Sequence, residues 1–284
     1  MTTATAISSV INLGEVQETL LIPLYGRAVE SSLANGMLYD PLAERIIDEI
    51  DYDFGRLAGK PSLKGAVLRT LTYDFLIREV MEYMPAQSPT IVELGCGLNT
   101  RRSRMGLQRL LWYDLDMPDV YELWQQFFSE QPNHVFLPYS AFDEQWAEVV
   151  RDTSDGPYIF VSEASTAYFS EASNKKLFQI LGEYFPGCYY IFDTANDYFI
   201  KRQDKHDVLK YYDARIKWCV NDISELNRWG LNIRHIQTIN FFADPPEELA
   251  DHIPTLYKAI TAVMKFFNHP ALNQYQLQVC QINS

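Results

Sequence analysis

From residue 90 onward the chain alternates short apolar runs with helical stretches, and this alternation limits its fold more than any other feature. Apolar runs of this length are typical of strands that are buried on both faces, and intervening helices are typical of βαβ units. The sequence therefore predicts an α/β fold built on a mostly parallel sheet. The predicted strands are Thr90–Leu94, Leu110–Asp114, His134–Tyr139, Tyr158–Ser162 and Tyr189–Asp193.

The C-terminal part of the chain closes this sheet in a different way. Further strands are predicted at Ile233–Phe242 and Asn273–Ile282, on either side of a helix over Glu247–Phe267. Apolar and polar residues alternate in the last strand, which predicts that it is half-buried and close to an edge. The helices predicted between the earlier strands are Pro118–Phe128, Phe142–Val150, Ser170–Phe185 and Asn196–Tyr212.

The residues before the first strand have helical spacing instead. Apolar residues recur every four positions along Ser62–Met84, which predicts a long helix with Ser62 as its N-cap and its end at Pro85 and Pro89. Asp40-Pro41 predicts the start of an earlier helix, because proline is favoured in the first turn. The N-terminal quarter of the chain is therefore predicted to form a helical cap or lid.

The chain has 284 residues, enough for one large domain or two small ones with a core that needs neither disulfides nor metals. Neither a repeat nor a low-complexity tract is present in the sequence, which excludes solenoids and propellers. The division that we expect is a flexible segment over 1–17, a helical cap over 18–85 and an α/β domain over 86–284.

Charge and cysteine content exclude several classes of function. The formal net charge is −13, so the chain lacks the clustered cations that attract nucleic acids and anionic membranes. The four cysteines are widely spaced and form no C-x-x-C pair, which predicts reduced thiols and no structural zinc site. Because we find no signal-peptide pattern and no run of about 18 apolar residues, we expect a cytoplasmic protein.

A glycine turn follows the first predicted strand, in Glu93-Leu-Gly95-Cys-Gly97-Leu-Asn-Thr100. Two glycines let the backbone pass close to a ligand and direct its amides toward it. The nicotinamide-binding Gly-x-Gly-x-x-Gly pattern fails here, because Thr100 stands at its third glycine. A tight turn without any ligand remains open as an alternative.

Acidic residues end the neighbouring strands. Trp112-Tyr-Asp114-Leu-Asp116 lies about 20 residues beyond the glycine turn, where a carboxylate can accept both hydroxyls of a ribose. Glu163 ends the fourth strand and Asp143 follows the third. Taken singly, each acid is more often a helix cap or a solvated residue. Together they predict a ligand site at the carboxyl ends of the strands, with a ribose-bearing cofactor.

These segments resemble the leucine carboxyl methyltransferase superfamily, and within it they are most similar to the tetracenomycin-type polyketide O-methyltransferases. The resemblance extends from about residue 18 over nearly the whole chain. It implies a Rossmann-like class I methyltransferase fold, with a mostly parallel seven-stranded sheet, an antiparallel C-terminal strand and an N-terminal helical lid. The matching blocks are Ile22–Ser31, Asp40-Pro41, Arg69-Thr70, Glu93–Arg101, Trp112–Pro118, Ser140–Asp143 before Trp146, and Phe185–Gly187.

The resemblance implies S-adenosylmethionine as cofactor and methyl transfer to oxygen. Arg69 would pair with the methionyl carboxylate, and Asp116 would hold the ribose, with Asp114 as the alternative. The family usually has Asp where this chain has Asn99, and Ala-Glu-Gly where it has Ser162-Glu163-Ala164. The other cofactor-binding residues implied are Glu93, Gly95 and Gly97 at the turn, Ala141, Phe142 and Asp143 near adenine, and Glu163 near the methionine end.

The acceptor determines which catalytic groups are needed. A carboxylate is already ionised at neutral pH and needs only a steering cation or donor, for which Arg27 and Tyr25 are candidates. A hydroxyl needs a base, for which His206 is the best-placed histidine. Arg27 is otherwise a surface or capping cation, and His206 a solvated helix residue.

The function predicted is O-methylation of a small-molecule hydroxyl or carboxylate, of the polyketide or a related natural-product class, in secondary metabolism. Aromatic residues concentrated after the fifth strand are expected to contribute to an apolar acceptor pocket. Alternatives are a protein C-terminal carboxyl methyltransferase, a non-catalytic protein that binds a nucleotide cofactor, and an NAD-linked oxidoreductase. The sequence leaves the oligomeric state open. The aromatic residues that are expected to contribute to the acceptor pocket are Tyr211, Tyr212, Trp218, Trp229, Phe241 and Phe242.

Overall fold

The computed structural model describes residues 9–10, 13–84, 88–253 and 255–284. Pro85 and most of the segment predicted to be flexible, residues 1–8 and 11–12, therefore lie outside the described residues. Ser9–Val10 and Ile50–Asp51 form a separate two-stranded parallel pair. The strands of the main sheet are β1 (Thr90–Leu94), β2 (Trp112–Asp116), β3 (His134–Pro138), β4 (Tyr158–Ser162), β5 (Cys188–Ala195), β6 (Ile233–Ile239) and β7 (Tyr275–Ile282).

The main sheet has seven strands in the order β3-β2-β1-β4-β5-β7-β6. The first five pair in parallel, and β7 runs antiparallel to both of its neighbours. The order reverses between β1 and β4, and ligands of open α/β sheets bind at the carboxyl ends of strands beside such a reversal. The predicted mostly parallel seven-stranded sheet with an antiparallel C-terminal strand is confirmed.

Alternate residues of the central strands pack into different cores. Val92 and Phe160 belong to the core on one face of the sheet, and Ile91 and Ile159 belong to the core on the other. This is the period-two geometry of a strand, and it explains why these strands are apolar at most positions: helices cover both faces.

Three helices form the N-terminal cap: α1 (Leu21–Ser31), α2 (Pro41–Glu49) and α3 (Pro61–Glu82). Asp40 caps α2, since its carboxylate accepts a hydrogen bond from the amide of Ala43 at 3.1 Å, and Pro41 lies in the first turn as predicted. The N-cap predicted for α3 is wrong. Lys60 occupies that position, and Ser62 instead donates its hydroxyl to Asp207.

Two of the helices predicted in the later part of the chain are interrupted. The prediction of a single helix over Asn196–Tyr212 is wrong, since the segment forms only short helical pieces. The ring nitrogen Nδ1 of His206 accepts hydrogen bonds from two backbone amides, and this competes with helical hydrogen bonding. The helix predicted over Glu247–Phe267 is interrupted at Ile253, which is extended because residue 254 is proline. The helices are α4 (Arg101–Arg104), α5 (Pro118–Trp124), α6 (Gln145–Thr153), α7 (Glu171–Tyr184), α8 (Asp197–Ile200) and α9 (Thr255–Phe266).

The last strand, β7, is more deeply buried than its alternating sequence predicts. It lies inside the sheet, between β5 and the edge strand β6, so both of its edges are paired, and residues 277–280 are buried on both faces. Gln278 is only 1% exposed and bonds Thr238 at 2.6 Å and Thr194 at 3.0 Å. The polar positions of this strand are therefore satisfied across the sheet rather than by water. In the described ranges, no helix combines the length and apolarity that a membrane crossing requires.

Candidate active site

A cavity of about 870 Å³ opens at the carboxyl ends of β1, β2 and β4, between the sheet, the cap and the segments after β5 and β6. The structure brings most of the predicted site residues to this one cavity. Tyr25, Asp114 and Asp143 are absent from its described lining. The predicted residues that line it are Arg27, Arg69, Glu93, Gly95, Gly97, Asp116, Ala141, Phe142, Glu163 and His206.

The glycine turn after β1 has its amides bonded within the protein. The amides of Gly95 and Cys96 donate to the carbonyl of Leu115 at 2.7 and 3.1 Å, and the amide of Gly97 donates to Asp116 at 2.8 Å. The expectation that these amides point at a ligand is therefore wrong, because they tie the turn to the end of β2 instead.

The two glycines are still required by their backbone conformation and by close packing. Gly95 and Gly97 have φ values of +70° and +54°. A Cβ atom at Gly95 would lie 2.5 Å from Cβ of Ser165, and one at Gly97 would lie 2.9 Å from Cβ of Leu20. The turn thus lets the N-terminal segment and the loop after β4 approach the end of the sheet.

Asp116 presents a carboxylate to the cavity without a cationic partner. Its two oxygens accept hydrogen bonds from the amides of Gly97 and Met117, both at 2.8 Å. Burial raises the pKa of Asp116 to about 6, and the two amides oppose that rise. In the part of the chain that the structure describes, Asp116 forms no ion pair. Its remaining lone pairs can accept hydrogen bonds from a ligand.

Asp114 points away from the cavity. Its carboxylate is buried and accepts hydrogen bonds from the indoles of Trp112 and Trp124, both at 3.0 Å, and lies 2.8 Å from Nε2 of His134. Asp114 and Asp116 are two residues apart and therefore share one face of β2, but Asp116 is the last residue of the strand, whereas Asp114 lies within it and is enclosed by the two indoles. The structure therefore corrects the choice of Asp114 as an alternative ribose ligand.

Glu163, at the end of β4, is held by three donors. Oε1 accepts from Nε of Arg69 at 3.0 Å and from the hydroxyl of Thr70 at 2.7 Å, and Oε2 accepts from Arg101 at 2.5 Å. Burial alone would raise the pKa of Glu163, but Arg69 and Arg101 outweigh it and lower the pKa to about 2. Glu163 is therefore a fixed anion at neutral pH.

Arg101 links Glu163 to the turn and to the cap. It is fully buried, and its nitrogens bond Glu93, Glu163 and Asp74, the last at 2.9 Å from Nε. Burial raises the pKa of Glu93 to about 7, against the opposing effect of Arg101. A buried ion-pair network of this kind fixes the relative positions of α3, α4 and two strand ends.

The same network reaches Arg27 of the cap through Arg104, which pairs with both Asp74 and Asp40. Nε of Arg27 donates to Asp40 at 3.0 Å and Nη2 to the carbonyl of Leu98 at 2.9 Å. Arg27 lines the cavity, but its charge is compensated by Asp40, which weakens its predicted role as a steering cation. The other predicted steering group, Tyr25, stacks on Phe54 at 5.1 Å between ring centroids and lies outside the cavity.

The loop after β3 contributes a flat apolar surface. Ala141 and Phe142 line the cavity, and the ring of Phe142 meets Phe169 edge-on at 4.8 Å between centroids. Asp143 is exposed and absent from the described lining of the cavity, which argues against its predicted place beside adenine. Its backbone amide closes the turn on Ser140 at 3.0 Å.

His206 lines the cavity but directs its lone pair elsewhere. Nδ1 accepts hydrogen bonds from the amides of Val208 and Leu209, at 3.3 and 3.2 Å, so in the neutral ring the proton belongs on Nε2. Nε2 lies 3.2 Å from the hydroxyl of Ser62, which itself donates to Asp207. Burial lowers the pKa of His206. The geometry favours a hydrogen-bond donor over the predicted base.

The aromatic residues expected in the acceptor pocket are divided by the fold. Phe241 and Phe242 line the cavity, whereas Trp218 and Trp229 belong to the core beneath β5 and Tyr212 packs against the cap. Tyr211 is exposed. Other aromatic residues take their place in the lining, and these are Tyr139, Tyr168, Phe169, Tyr198, Phe199, Tyr257 and Tyr275.

Comparison with known proteins settles the family. The profile described as leucine carboxyl methyltransferase matches residues 21–182, more than half of the chain. This chain belongs to the leucine carboxyl methyltransferase family. The predicted resemblance is confirmed, and the cofactor of this methyltransferase is S-adenosylmethionine.

Two relatives have informative names: one name refers to polyketide synthesis, and the other refers to the cofactor. The chain is 26% identical over 214 residues to the tetracenomycin polyketide synthesis O-methyltransferase TcmP of Streptomyces glaucescens, covering 75% of this chain and 78% of TcmP. It is 25% identical over 260 residues to the S-adenosyl-L-methionine-dependent methyltransferase dpfgK of Gibberella zeae, covering 87% of this chain and 81% of dpfgK. A DUF574 family protein from Streptomyces avermitilis has a similar fold, with a TM-score of 0.55, 12% identity and coverage of 91% and 97%.

This member of the family departs from the usual pattern at Asn99 and Ala164. Asn99 donates to Glu93 at 3.2 Å and accepts from the amide of Arg101 at 3.0 Å, so an uncharged side chain supports the network there. Ala164 has a φ of +52°, a conformation that favours glycine. Its amide is held by Asp193 at 2.6 Å, which fixes the strained loop after Glu163.

Replacing Ala164 with glycine should relieve this strain. We expect the free energy of unfolding to rise by about 0.5–1 kcal/mol, since a left-handed alanine costs about 1–2 kcal/mol and glycine loses part of that gain through the unfolded chain. Urea denaturation measures the change. Ala167→Gly is the matched control, because Ala167 is a buried neighbour with no positive φ, and it should lower the stability. A free energy of unfolding that is lower in A164G than in the wild type would contradict the inferred backbone strain at Ala164.

Sequence reasoning missed Arg101, Asp74 and Asp193. Asp193 lies in the fifth predicted strand at its carboxyl end, so the reasoning that selected Glu163 after the fourth strand would also have found it. Arg101 stands inside the glycine-turn block, but its partner Asp74 lies 27 positions away on α3. No local pattern signals that pairing.

Proposed function

We propose that this protein is an O-methyltransferase that acts on a small-molecule hydroxyl or carboxylate of a polyketide or related natural product. The observation that supports it most is that one cavity holds both an unpaired acid, Asp116, at the end of the sheet and many aromatic side chains beyond it. The similarity to TcmP, a polyketide O-methyltransferase, supports the acceptor class.

The lining residues fit S-adenosylmethionine. Asp116 would accept hydrogen bonds from the ribose hydroxyls, and Ala141 and Phe142 would flank adenine. Arg69 uses Nε for Glu163, and its two terminal nitrogens bond no other described residue, so they would bind the methionyl carboxylate as a fork. Glu163 would lie beside the ammonium. Gly95 and Gly97 would let the cofactor lie close to the backbone.

The chemistry that the cofactor supplies is an activated methyl group on a sulfonium. The protein's own part is to align the acceptor oxygen with that methyl and to keep water out, and alignment of this kind contributes up to about 7–11 kcal/mol. The ion-pair network beneath the cavity keeps Glu163 and Arg69 in place without rearrangement. The aromatic lining provides the apolar surroundings in which a ring-containing acceptor binds.

The His206 geometry favours an acceptor that is already ionised. Nδ1 accepts two backbone amides and the N–H on Nε2 faces the hydroxyl of Ser62, so the ring has no free lone pair with which to take a proton from a hydroxyl. Between the two acceptors that the sequence leaves open, this observation favours a carboxylate.

Exchange of His206 for glutamine tests that choice. His206→Gln retains an N–H donor and should keep most turnover, with kcat/KM flat across the range where histidine titrates, whereas His206→Ala should raise KM. If the imidazole were a base, both variants would lose about 100-fold or more in kcat. Rates measured with radiolabelled cofactor over a pH series decide between the two.

Two measurements test the proposed function itself. Calorimetry with S-adenosylhomocysteine and with NAD should show micromolar-range binding of the first and none of the second; the reverse would support an oxidoreductase. Methyl transfer should then be assayed on small aromatic acids and phenols and on a peptide that ends in leucine. Transfer to the peptide alone would support a protein carboxyl methyltransferase, and transfer to none would support a non-catalytic binding protein.

A further inference from the structure

The cations that line the cavity are paired with carboxylates except in one segment. Within the described residues, Arg202 and Lys205 also line it and have no carboxylate oxygen within 4.0 Å. Both follow α8 in the chain. The cavity charges that are compensated are Arg27 by Asp40, Arg69 by Glu163 and Glu93 by Arg101.

The acids near these two cations in sequence have other partners. Asp197 pairs with Lys201, and Asp204 pairs with Arg215 at 3.1 Å. Asp207 accepts the hydroxyl of Ser62. In a chain with a net charge of −13, cations are outnumbered, so two that stay without an acid at a cavity are available for a ligand.

Aromatic side chains surround the same part of the cavity. Cζ of Arg202 lies 3.7 Å from the ring centroid of Tyr198, and its Nη1 donates to the carbonyl of the same residue at 3.3 Å. This contact orients the guanidinium and leaves donors for another group. Arg202 and Lys205 are exposed, whereas Phe199 next to them is half-buried. The cations therefore lie at the rim, with apolar rings inside.

We propose that the acceptor is an apolar, ring-containing molecule with an additional acidic group, and that Arg202 and Lys205 bind that group at the rim. The proposal rests on the proposed function, since it assigns this part of the cavity to the acceptor. The two residues determine specificity and orientation and do not handle the transferred methyl. Binding a remote group in this way helps to align the reacting oxygen.

Two fluorescent probes separate charge recognition from apolar binding. Anilinonaphthalene sulfonate carries an anion, and N-phenylnaphthylamine has the same rings without it. Each is titrated into protein saturated with S-adenosylhomocysteine. All proteins compared carry Phe266→Ser and Phe267→Ser, because these side chains are 83% and 72% exposed and would otherwise bind the probes outside the cavity.

The variant Arg202→Gln with Lys205→Gln should raise the Kd of the sulfonate about tenfold and change that of the neutral probe less than about twofold. Lys201→Gln is the matched control, because Lys201 pairs with Asp197 and lies outside the cavity, and it should leave both values unchanged. An equal loss for both probes would show an altered cavity shape and would overturn the proposal. An unchanged sulfonate affinity would also overturn it.

The result is independent of methyl transfer. Neither probe is a methyl acceptor in this measurement, and the cofactor product is present only to fill its own part of the cavity. Absence of S-adenosylhomocysteine binding would count against the proposed function. In that case the probe comparison is repeated without it and still tests the rim.

Discussion

Replacing Asp116 with alanine should weaken binding of S-adenosylhomocysteine about 30- to 150-fold. The carboxylate lies in the cavity without a cation, and a charge-assisted pair of ribose hydrogen bonds is worth about 2–3 kcal/mol. Calorimetry measures the change. Asp143→Ala is the control, because Asp143 follows the next strand but is exposed outside the cavity, and it should leave the affinity unchanged.

The same interaction predicts a pH dependence of binding. Burial raises the pKa of Asp116 to about 6, and the ribose hydroxyls bind best to the ionised form. Affinity should therefore reach its full value only well above pH 6, where the carboxylate is ionised, and fall about tenfold for each pH unit below it. Asp116→Asn should remove this dependence. An affinity that stays constant down to pH 5 in the wild-type chain would contradict the role of Asp116.

Replacing Arg101 with methionine should destabilise the protein by about 3–5 kcal/mol, since it leaves buried carboxylates without their cation. Arg101 is fully buried and bonds Asp74, Glu93 and Glu163. Urea denaturation measures the loss. Arg45→Met is the control, because the exposed Arg45–Glu49 pair should contribute less than about 0.5 kcal/mol.

A second substitution keeps this prediction testable if R101M folds poorly. Adding Glu93→Gln removes one of the unpaired charges and should recover part of the stability. The acid response follows from the lowered pKa of Glu163: its stabilisation is present above its ordinary pKa near 4.5 and is lost as the pH falls toward 2. In R101M that loss should begin at higher pH. Equal stability of R101M and wild type would contradict the network.

The sheet could be predicted from sequence because its strands are locally recognisable. Buried parallel strands form nearly continuous apolar runs, so Thr90–Leu94 and Tyr158–Ser162 were predicted with the bounds that the structure has. The segment after β5 could not be predicted, since His206 breaks the helix by binding backbone amides, and no periodic pattern encodes that.

The site was predictable where it follows from strand ends and less so where it depends on distant contacts. Asp116 and Glu163 reach the cavity because carboxyl ends of parallel strands meet at one edge. The commitment of Asp114 to two tryptophans and the pairing of Arg27 with Asp40 depend on how the helices pack. The roles of the lining residues in cofactor binding stay predictions.

The central claim is that this cavity holds the adenosyl cofactor with Asp116 at the ribose and the acceptor toward His206. A crystal structure of the protein with S-adenosylhomocysteine tests it most directly. We expect both ribose hydroxyls within hydrogen-bond distance of Asp116, the methionyl carboxylate on Arg69 and the sulfur facing the aromatic side of the cavity. A nucleoside bound elsewhere, or an empty cavity at saturating ligand, would contradict the account.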